Sequence, residues 1–230
     1  MIDIHTHILP YVDDGSSNIN QSIELIKYEI NEGVTDVFVT PHYFMFRGYI
    51  STYENNKKIF NNLIQEVKKQ NLNINLHLGN EIFYTQDTLK YLNEKRIIPL
   101  GNSKYVLIEF SLIKDTGDMP EAINNLTAVG YIPIIAHPER YKYLTDINDY
   151  LMIKKMGAKI QINVGAILGE YGNKVKKGVF KLIEHNLVDF VASDIHDFRK
   201  NGLKKGYEII KKKFTQTVAD KLFNNSAIFE

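Results

Sequence analysis

Seven short runs of apolar and β-branched residues, each followed by a longer amphipathic stretch, limit the folds open to this chain more than any other feature. The short runs are 2–5, 36–40, 74–82, 105–110, 132–137, 159–164 and 188–193. Apolar residues recur at helical spacing over 19–32, 52–69, 87–94, 121–129, 147–156, 175–185 and 202–213, with one more short helix expected at 218–223. Gly33, Gly130 and Gly157 stand where a helix must stop before the next strand, the place for a left-handed cap. Strands that read apolar on both faces (VFVT, IPIIA, VDFVA) fit a parallel sheet covered by helices. The repeated βα units predict an α/β fold, a distorted (β/α)7 barrel of the TIM type. No linker, low-complexity tract or shift in composition divides the chain, so one domain over residues 1–230 is expected.

Composition removes several function classes. Hydrophobic residues make up 44% and charged residues 24%, enough apolar material for one large core. The formal net charge is +1, from 28 basic and 27 acidic residues, and the lysines scatter over helical faces, so no nucleic-acid partner is expected. The local run Lys211-Lys212-Lys213 reads as a solvated helix face. Cysteine is absent, which excludes disulfides, thiolate ligands and a phosphocysteine mechanism within this chain and fits a reducing compartment. The opening MIDIHTH lacks the basic and apolar regions of a signal peptide. No apolar run approaches the ~18 residues of a membrane span. A soluble cytoplasmic protein without membrane insertion is expected.

Chemistry concentrates where the strands end. The first ends in His5-Thr6-His7, the second in Thr40-Pro41-His42, the third in Gly79-Asn80-Glu81 and the fourth in Ile108-Glu109-Phe110. The fifth ends in Ala136-His137-Pro138-Glu139-Arg140 and the last in Ser193-Asp194-Ile195-His196. In an α/β barrel these ends meet at one mouth, where the active site lies. Residues two apart on a strand face the same way, so His5 with His7, and Asp194 with His196, can grip one ion together. Asp14, in the Val12-Asp13-Asp14-Gly15 loop, is near enough to join them. Neutral imidazole and carboxylate suit Zn²⁺, Mn²⁺ and Fe.

Taken singly, each signal has an ordinary reading. An HxH pair arises by chance, Glu81 and Glu109 can cap the next helix, and Arg140 can be a structural ion-pair partner. Taken together they converge, because five of the seven histidines fall at strand ends. The other two do not: His77 lies mid-strand, where it packs or hydrogen-bonds inside, and His185 falls in the last turn of a helix, where positive charge suits the dipole.

As a set, HxH, Asp14, TPH, GNE, IEF, AHPER and SDxH resemble the polymerase-and-histidinol-phosphatase (PHP) superfamily. The likeness is strongest to the bacterial manganese-dependent protein tyrosine phosphatases of capsule and exopolysaccharide operons. Its most specific segments are MIDIHTHILPYVDDG and PIIAHPERY, and it extends from residue 1 to about 201. The resemblance implies the PHP form of the barrel and three divalent metal ions, usually Mn²⁺ or Fe and sometimes Zn²⁺. It implies that His5, His7, Glu81 and Asp194 hold the first ion and that Glu81 bridges to a second held by Glu109 and His137. Asp14, His42 and His196 would hold the third. The implied catalytic residues are Arg140, gripping the phosphate, with His196 and a second arginine. Arg199, three residues after His196, is the candidate for that arginine.

The expected reaction is hydrolysis of phosphotyrosine by a metal-activated hydroxide attacking phosphorus in line, with no covalent phosphoenzyme. The expected partner is a phosphotyrosine protein, the operon's tyrosine autokinase with its Tyr-rich tail. Histidinol-phosphate phosphatase is the alternative that shares the ligand set. A 3′–5′ nuclease is disfavoured by the neutral charge. From a different class comes a catalytically degenerate barrel kept as a binding or regulatory module, against which stands the presence of every ligand type. Tyr43, Phe44, Phe46 and Tyr49 follow His42 in a loop expected to border the mouth, where they can stack on a phenyl ring or simply pack the loop.

Overall fold

The computed structural model describes residues 1–196 and 202–229. In chain order the elements are β1 (Ile2–Thr6), α1 (Ile19–Asn31), β2 (Asp36–Val39), β3 (His42–Tyr43), α2 (Tyr53–Lys69), β4 (Asn75–Leu78), β5 (Glu81–Phe83), α3 (Thr88–Asn93) and β6 (Tyr105–Glu109). They continue with α4 (Asp118–Ala128), β7 (Ile132–Ala136), α5 (Ile147–Lys155), β8 (Lys159–Asn163), α6 (Val164–Leu168), α7 (Asn173–Glu184), β9 (Phe190–Ala192), α8 (Leu203–Lys213) and α9 (Gln216–Asn224). All strand pairings are parallel, in the orders β1-β2-β4 and β3-β5-β6-β7-β8-β9.

The two sheets are successive tiers of the same staves. β2 runs into β3 across Thr40-Pro41, and β4 into β5 across Gly79-Asn80, so the staves expected at 36–40 and 74–82 are each broken once. Pro41 has no N–H for a ladder. Its carbonyl instead accepts the Glu81 N–H at 3.2 Å and the Asn80 side-chain amide at 3.1 Å. The ring closes between β1 and the end of β9, where Asp194 N–H donates to His5 O (2.9 Å) and His7 N–H to Ile195 O (3.0 Å). Seven staves and one seam make the distorted barrel that the sequence predicts.

Helix ends follow local chemistry. The Asn18 side chain caps α1, Thr215 caps α9, and Asp146 with Asp149 forms a capping box on α5. Gly33, Gly130 and Gly157 all take positive φ after α1, α4 and α5, as expected. Two features escape the periodicity: α6 starts directly from the end of β8, and α4 begins at Asp118, ahead of the expected start. Lys211, Lys212 and Lys213 are exposed at the end of α8.

Two apolar layers hold the barrel. The larger lies between staves and helices; the smaller fills the interior with Ile4, Phe38, Leu107, Ile134, Phe190 and neighbours, closed below by Leu100 and Ile228. Alternation then dictates what lies above this plug. Leu107 is followed on the inner side by Glu109, Ala192 by Asp194, and on β8 the inward positions are Gln161 and Asn163. β1 departs from this simple alternation, because its register against β2 slips between Asp3 and Thr6, and both Ile4 and His5 reach the interior.

The seam is latched from beneath by Asn225. Buried and at φ 50, it donates its amide to Ile2 O (2.7 Å) and Val191 O (3.1 Å), one carbonyl on each side of the closure. Asn225→Ala is expected to lower stability by about 2 kcal/mol, through two orphaned carbonyls and an unfavourable φ. A drop in the urea midpoint at constant m measures it; a change below ~0.5 kcal/mol would show that the latch carries little.

Candidate metal centre

Glu81 is the hub of the mouth. It begins β5 immediately beyond the Gly79-Asn80 break and has no exposed surface. Its Oε2 lies 3.1 Å from His5 Nε2, 3.3 Å from His7 Nε2 and 3.0 Å from His42 Nδ1; its Oε1 lies 2.9 Å from His137 Nε2. Glu109 stands 3.8 Å from His42 and 3.7 Å from His137. Asp194 stands 3.6 Å from His5 and 3.5 Å from His7, while Asp14 reaches His42 and His196, each at 3.6 Å. All nine side chains expected as ligands therefore come together in one contiguous cluster.

Three overlapping groups within it have the spacing to hold an ion: His7, Asp14, His42 and His196; His5, His7 and Glu81; and His42, Glu81 and Glu109. His137 and Asp194 border the second and third groups. His7 and His42 each serve two groups, so the sharing is wider than the expected partition, which gave that role to Glu81 alone.

The hydrogen bonds around the cluster leave three of its imidazoles as lone-pair donors. His5 Nδ1 meets Gln161 Oε1 at 3.1 Å, His7 Nδ1 meets Asp13 Oδ2 at 2.8 Å, and His196 Nδ1 meets Asp194 O at 3.0 Å. Each partner is an acceptor, so the proton sits on Nδ1 and Nε2 turns its lone pair inward. Gln161 is fixed the same way, because its amide nitrogen donates to Asn163 Oδ1. The outcome is His5 Nε2 facing His7 Nε2 at 3.2 Å, with Glu81 beside both. Lone pairs and carboxylate oxygens converging in a buried site repel one another unless a cation lies among them. Buried atoms without a hydrogen bond include Asp14 Oδ1, Glu81 Oε2, Glu109 Oε2 and His42 Nδ1. By this donor chemistry the residues fit divalent Mn, Fe or Zn.

The electrostatics agree. Burial and the neighbouring Glu81 push the Glu109 carboxyl up to about 7. Burial draws His137 down to about 4 against the pull of Glu81. Burial also opposes charge on His5 and His7, yet Glu81 and Asp194 hold the first above its ordinary value, and Asp13 and Glu81 hold the second well above. A cluster with this much anionic character draws in positive charge, whether protons or metal.

Two of the residues sit in strained backbone. His137 has φ 34 and Asp194 has φ 52, conformations that cost a side-chain-bearing residue about 1–3 kcal/mol and cluster at functional sites. The Val12–Gly15 loop is pressed so close to β1 that a Cβ on Gly15 would lie 2.1 Å from His7 O. That approach brings Asp13 to His7 and to the His42 N–H, at 2.9 Å.

Sequence reasoning missed the supporting residues: Asp13, Gln161 and Asn163. Asp13 adjoins Asp14, and the choice between two neighbouring acids could not be made from spacing. Gln161 and Asn163 lie on β8, the one stave with no His or carboxylate at its end, and their signal was polarity at alternate positions of a buried strand. Asn163 Nδ2 donates to Asp194 Oδ2 at 2.6 Å, and the half-buried Glu139, its carboxyl pushed up to about 8 by desolvation, accepts the Asn163 N–H at 2.9 Å.

Arg140 lies at the edge. Its guanidinium donates to Asp194 Oδ2 at 3.3 Å and lies 5.4 Å over the Tyr171 ring. Arg199 falls outside the described residues. His77 pairs with Asp36 at 3.1 Å and stacks on Phe38, and His185 bonds to Lys181 O at the end of α7, so both stay out of the cluster as expected. The aromatic loop divides. Tyr43 is a core residue, whereas Phe44 stacks on Phe83 (3.9 Å), Tyr49 stacks on His42 (5.8 Å) and Phe46 is 81% exposed.

An α/β barrel with an imidazole and carboxylate cluster at its mouth has the architecture of a barrel metallohydrolase. The family described as capsular polysaccharide synthesis, CpsB/CapC, matches residues 1–229, and the chain belongs to it. It is 39% identical over 201 residues to the putative tyrosine-protein phosphatase CapC of Staphylococcus aureus, covering 85% of this chain and 77% of that one. It is 36% identical over 236 residues to the tyrosine-protein phosphatase CpsB of Streptococcus agalactiae, covering 99% and 96%. Among solved structures, one from work on YwqE of Bacillus subtilis and CpsB of Streptococcus pneumoniae, described as unique metal-dependent tyrosine phosphatases, superposes with a TM-score of 0.90 at 29% identity. That match covers 95% of this chain and 90% of the other. A β-aspartyl dipeptidase from Fervidobacterium islandicum shares the fold alone, with a TM-score of 0.60 at 14% identity.

Asp13→Ala is expected to weaken metal binding roughly 10- to 100-fold while leaving all nine candidate ligands in place, because it removes the acceptor that orients His7. Metal titration followed by elemental analysis measures it. An unchanged affinity would mean that His7 needs no such support.

Proposed function

We propose that this chain is a metal-dependent protein-tyrosine phosphatase that uses up to three divalent ions, Mn²⁺ foremost and Fe or Zn²⁺ otherwise. The observation that carries the reading is the convergence of His5, His7, Asp14, His42, Glu81, Glu109, His137, Asp194 and His196 on one buried cluster with Arg140 at its edge. Family membership and relatives named tyrosine-protein phosphatases support it. The substrate is a phosphotyrosine protein, and the family's link to capsular polysaccharide synthesis favours a tyrosine autokinase with a Tyr-rich tail. Action in the cytoplasm fits such a partner. None of the described helices is long and apolar enough to cross a membrane.

Bound divalent ions supply Lewis-acid charge for the phosphoryl oxygens and a water nucleophile of lowered pKa. The chain's own residues do the rest. Arg140, held by Asp194 and Tyr171, presents a fork that matches a phosphate dianion. Asp13, Gln161 and Asn163 fix the orientation of His7, His5 and Asp194, so the cluster needs no reorganisation when charge develops. The exposed Phe46 and the Phe44–Phe83 stack offer apolar surface near the mouth to the phenyl ring of the substrate. Tyrosinate leaves with a parent pKa of ~10, so modest assistance suffices.

Chelation is expected to abolish turnover of a phosphotyrosine peptide and added Mn²⁺ to restore it. The phosphotyrosine peptide is also expected to exceed histidinol phosphate in kcat/KM; the reverse order would favour the histidinol-phosphatase reading, and activity in metal-stripped protein would remove the metal-dependent one. Arg140→Ala is expected to lower kcat/KM roughly 30- to 1000-fold, as for one lost charge-assisted contact of ~2–4 kcal/mol, at unchanged metal content. Loss of metal with an unchanged rate per bound ion would make Arg140 structural.

A further inference from the structure

Outside the cluster, a cleft of about 670 Å³ lies between α5 and α7, with Arg140 and Tyr171 at one end. Its floor is apolar, built on Ile147, Val179 and Leu182. Its rim carries Lys142, Lys174 and Lys181, all exposed. Among the described residues no carboxylate forms an ion pair with these three. The nearby Asp146 carboxylate is taken up in capping α5.

Gly178 lies midway along the α7 wall. Glycine weakens a helix interior relative to alanine, and the usual excuse of close packing fails here, because a Cβ on Gly178 would meet nothing within 4 Å. Its effect is to keep the cleft clear. Lys174 and Lys181 are separated along α7 by about 10 Å at the helical rise, the span of roughly three residues of extended peptide.

We propose that this cleft seats the polypeptide flanking the phosphotyrosine, with acidic side chains of that segment over Lys142, Lys174 and Lys181 while Arg140 holds the phosphate. Arg140 joins the two places, lining the cleft and bonding to Asp194 of the cluster. An apolar floor under a cationic rim suits a mixed apolar and acidic segment, and rim charges favour capture of such a segment at low salt. The proposal rests on the phosphatase reading and adds to it a preference for acidic sequence beside the phosphotyrosine.

The test compares kcat/KM of the metal-loaded full chain on a small aryl phosphate and on two phosphotyrosine peptides, one with acidic and one with neutral flanks. The variants are Gly178→Leu, which projects into open space, and the pair Lys174→Glu with Lys181→Glu. The wild type is expected to prefer the acidic peptide. Gly178→Leu is expected to raise its KM for that peptide roughly tenfold at an unchanged aryl phosphate rate, and the charge reversal to erase the preference, in keeping with the modest strength of rim contacts. Equal handling of the two peptides by the wild type would overturn the proposal, as would a Gly178→Leu effect that is absent or equal on all three substrates. Failure of the wild type to hydrolyse even the aryl phosphate would instead remove the phosphatase reading, and the cleft assignment with it.

Discussion

The Glu81 carboxylate is the interaction on which the rest of this molecule depends. It is fully buried, and its two oxygens face different histidines: Oε2 faces His5, His7 and His42, and Oε1 faces His137. Burial alone would drive such a group to take up a proton, yet the surrounding imidazoles hold it well below the ordinary carboxylate range. Burying that charge is costly unless it is matched, and matching it calls for cationic partners on both oxygens. The clustering of imidazoles and further carboxylates around Glu81 follows from that requirement.

The barrel is built to hold this arrangement still. Its apolar plug ends just below the cluster, so the inward position after Leu107 or Ala192 becomes an acid instead of a hydrophobe. The breaks at Pro41 and Gly79-Asn80 begin a second tier of strand at His42 and at Glu81, paired in register with each other. Closure of the ring uses the backbone of His5, His7, Asp194 and Ile195, so the seam that completes the barrel also sets three of its functional positions. Stability and site geometry are coupled at that seam. Strain at His137 and Asp194 is tolerated because neighbouring bonds over-determine both residues.

Much of this was legible in the sequence, for definite reasons. Seven βα periods give the barrel, and strand-end His and carboxylates give the mouth, because alternation and parallel direction leave those side chains nowhere else to meet. What escaped was whatever depends on packing between distant segments. The breaks in the second and third staves follow from hydrogen bonds that Pro41 and Asn80 make across strands, which periodicity does not encode. Asp13 and Asp14 are neighbours with different duties, separated only by how Gly15 lets the loop lie on His7. Gln161 carries no ligand signature, and its part is visible only once β8 lies beside His5. Tyr43 reads like the rim aromatics that follow it, yet it points into the core.

The central claim is that Glu81 would help to hold two divalent ions, one beside His5 and His7 and the other beside His42 and Glu109. Electron paramagnetic resonance of the fully Mn²⁺-loaded protein tests this without reference to activity, since ions about 3.5–4 Å apart across a shared carboxylate couple magnetically. The account predicts an exchange-coupled multinuclear signal in the wild type that gives way to isolated Mn²⁺ spectra in Glu81→Gln. An uncoupled six-line spectrum from fully loaded wild-type protein would contradict it.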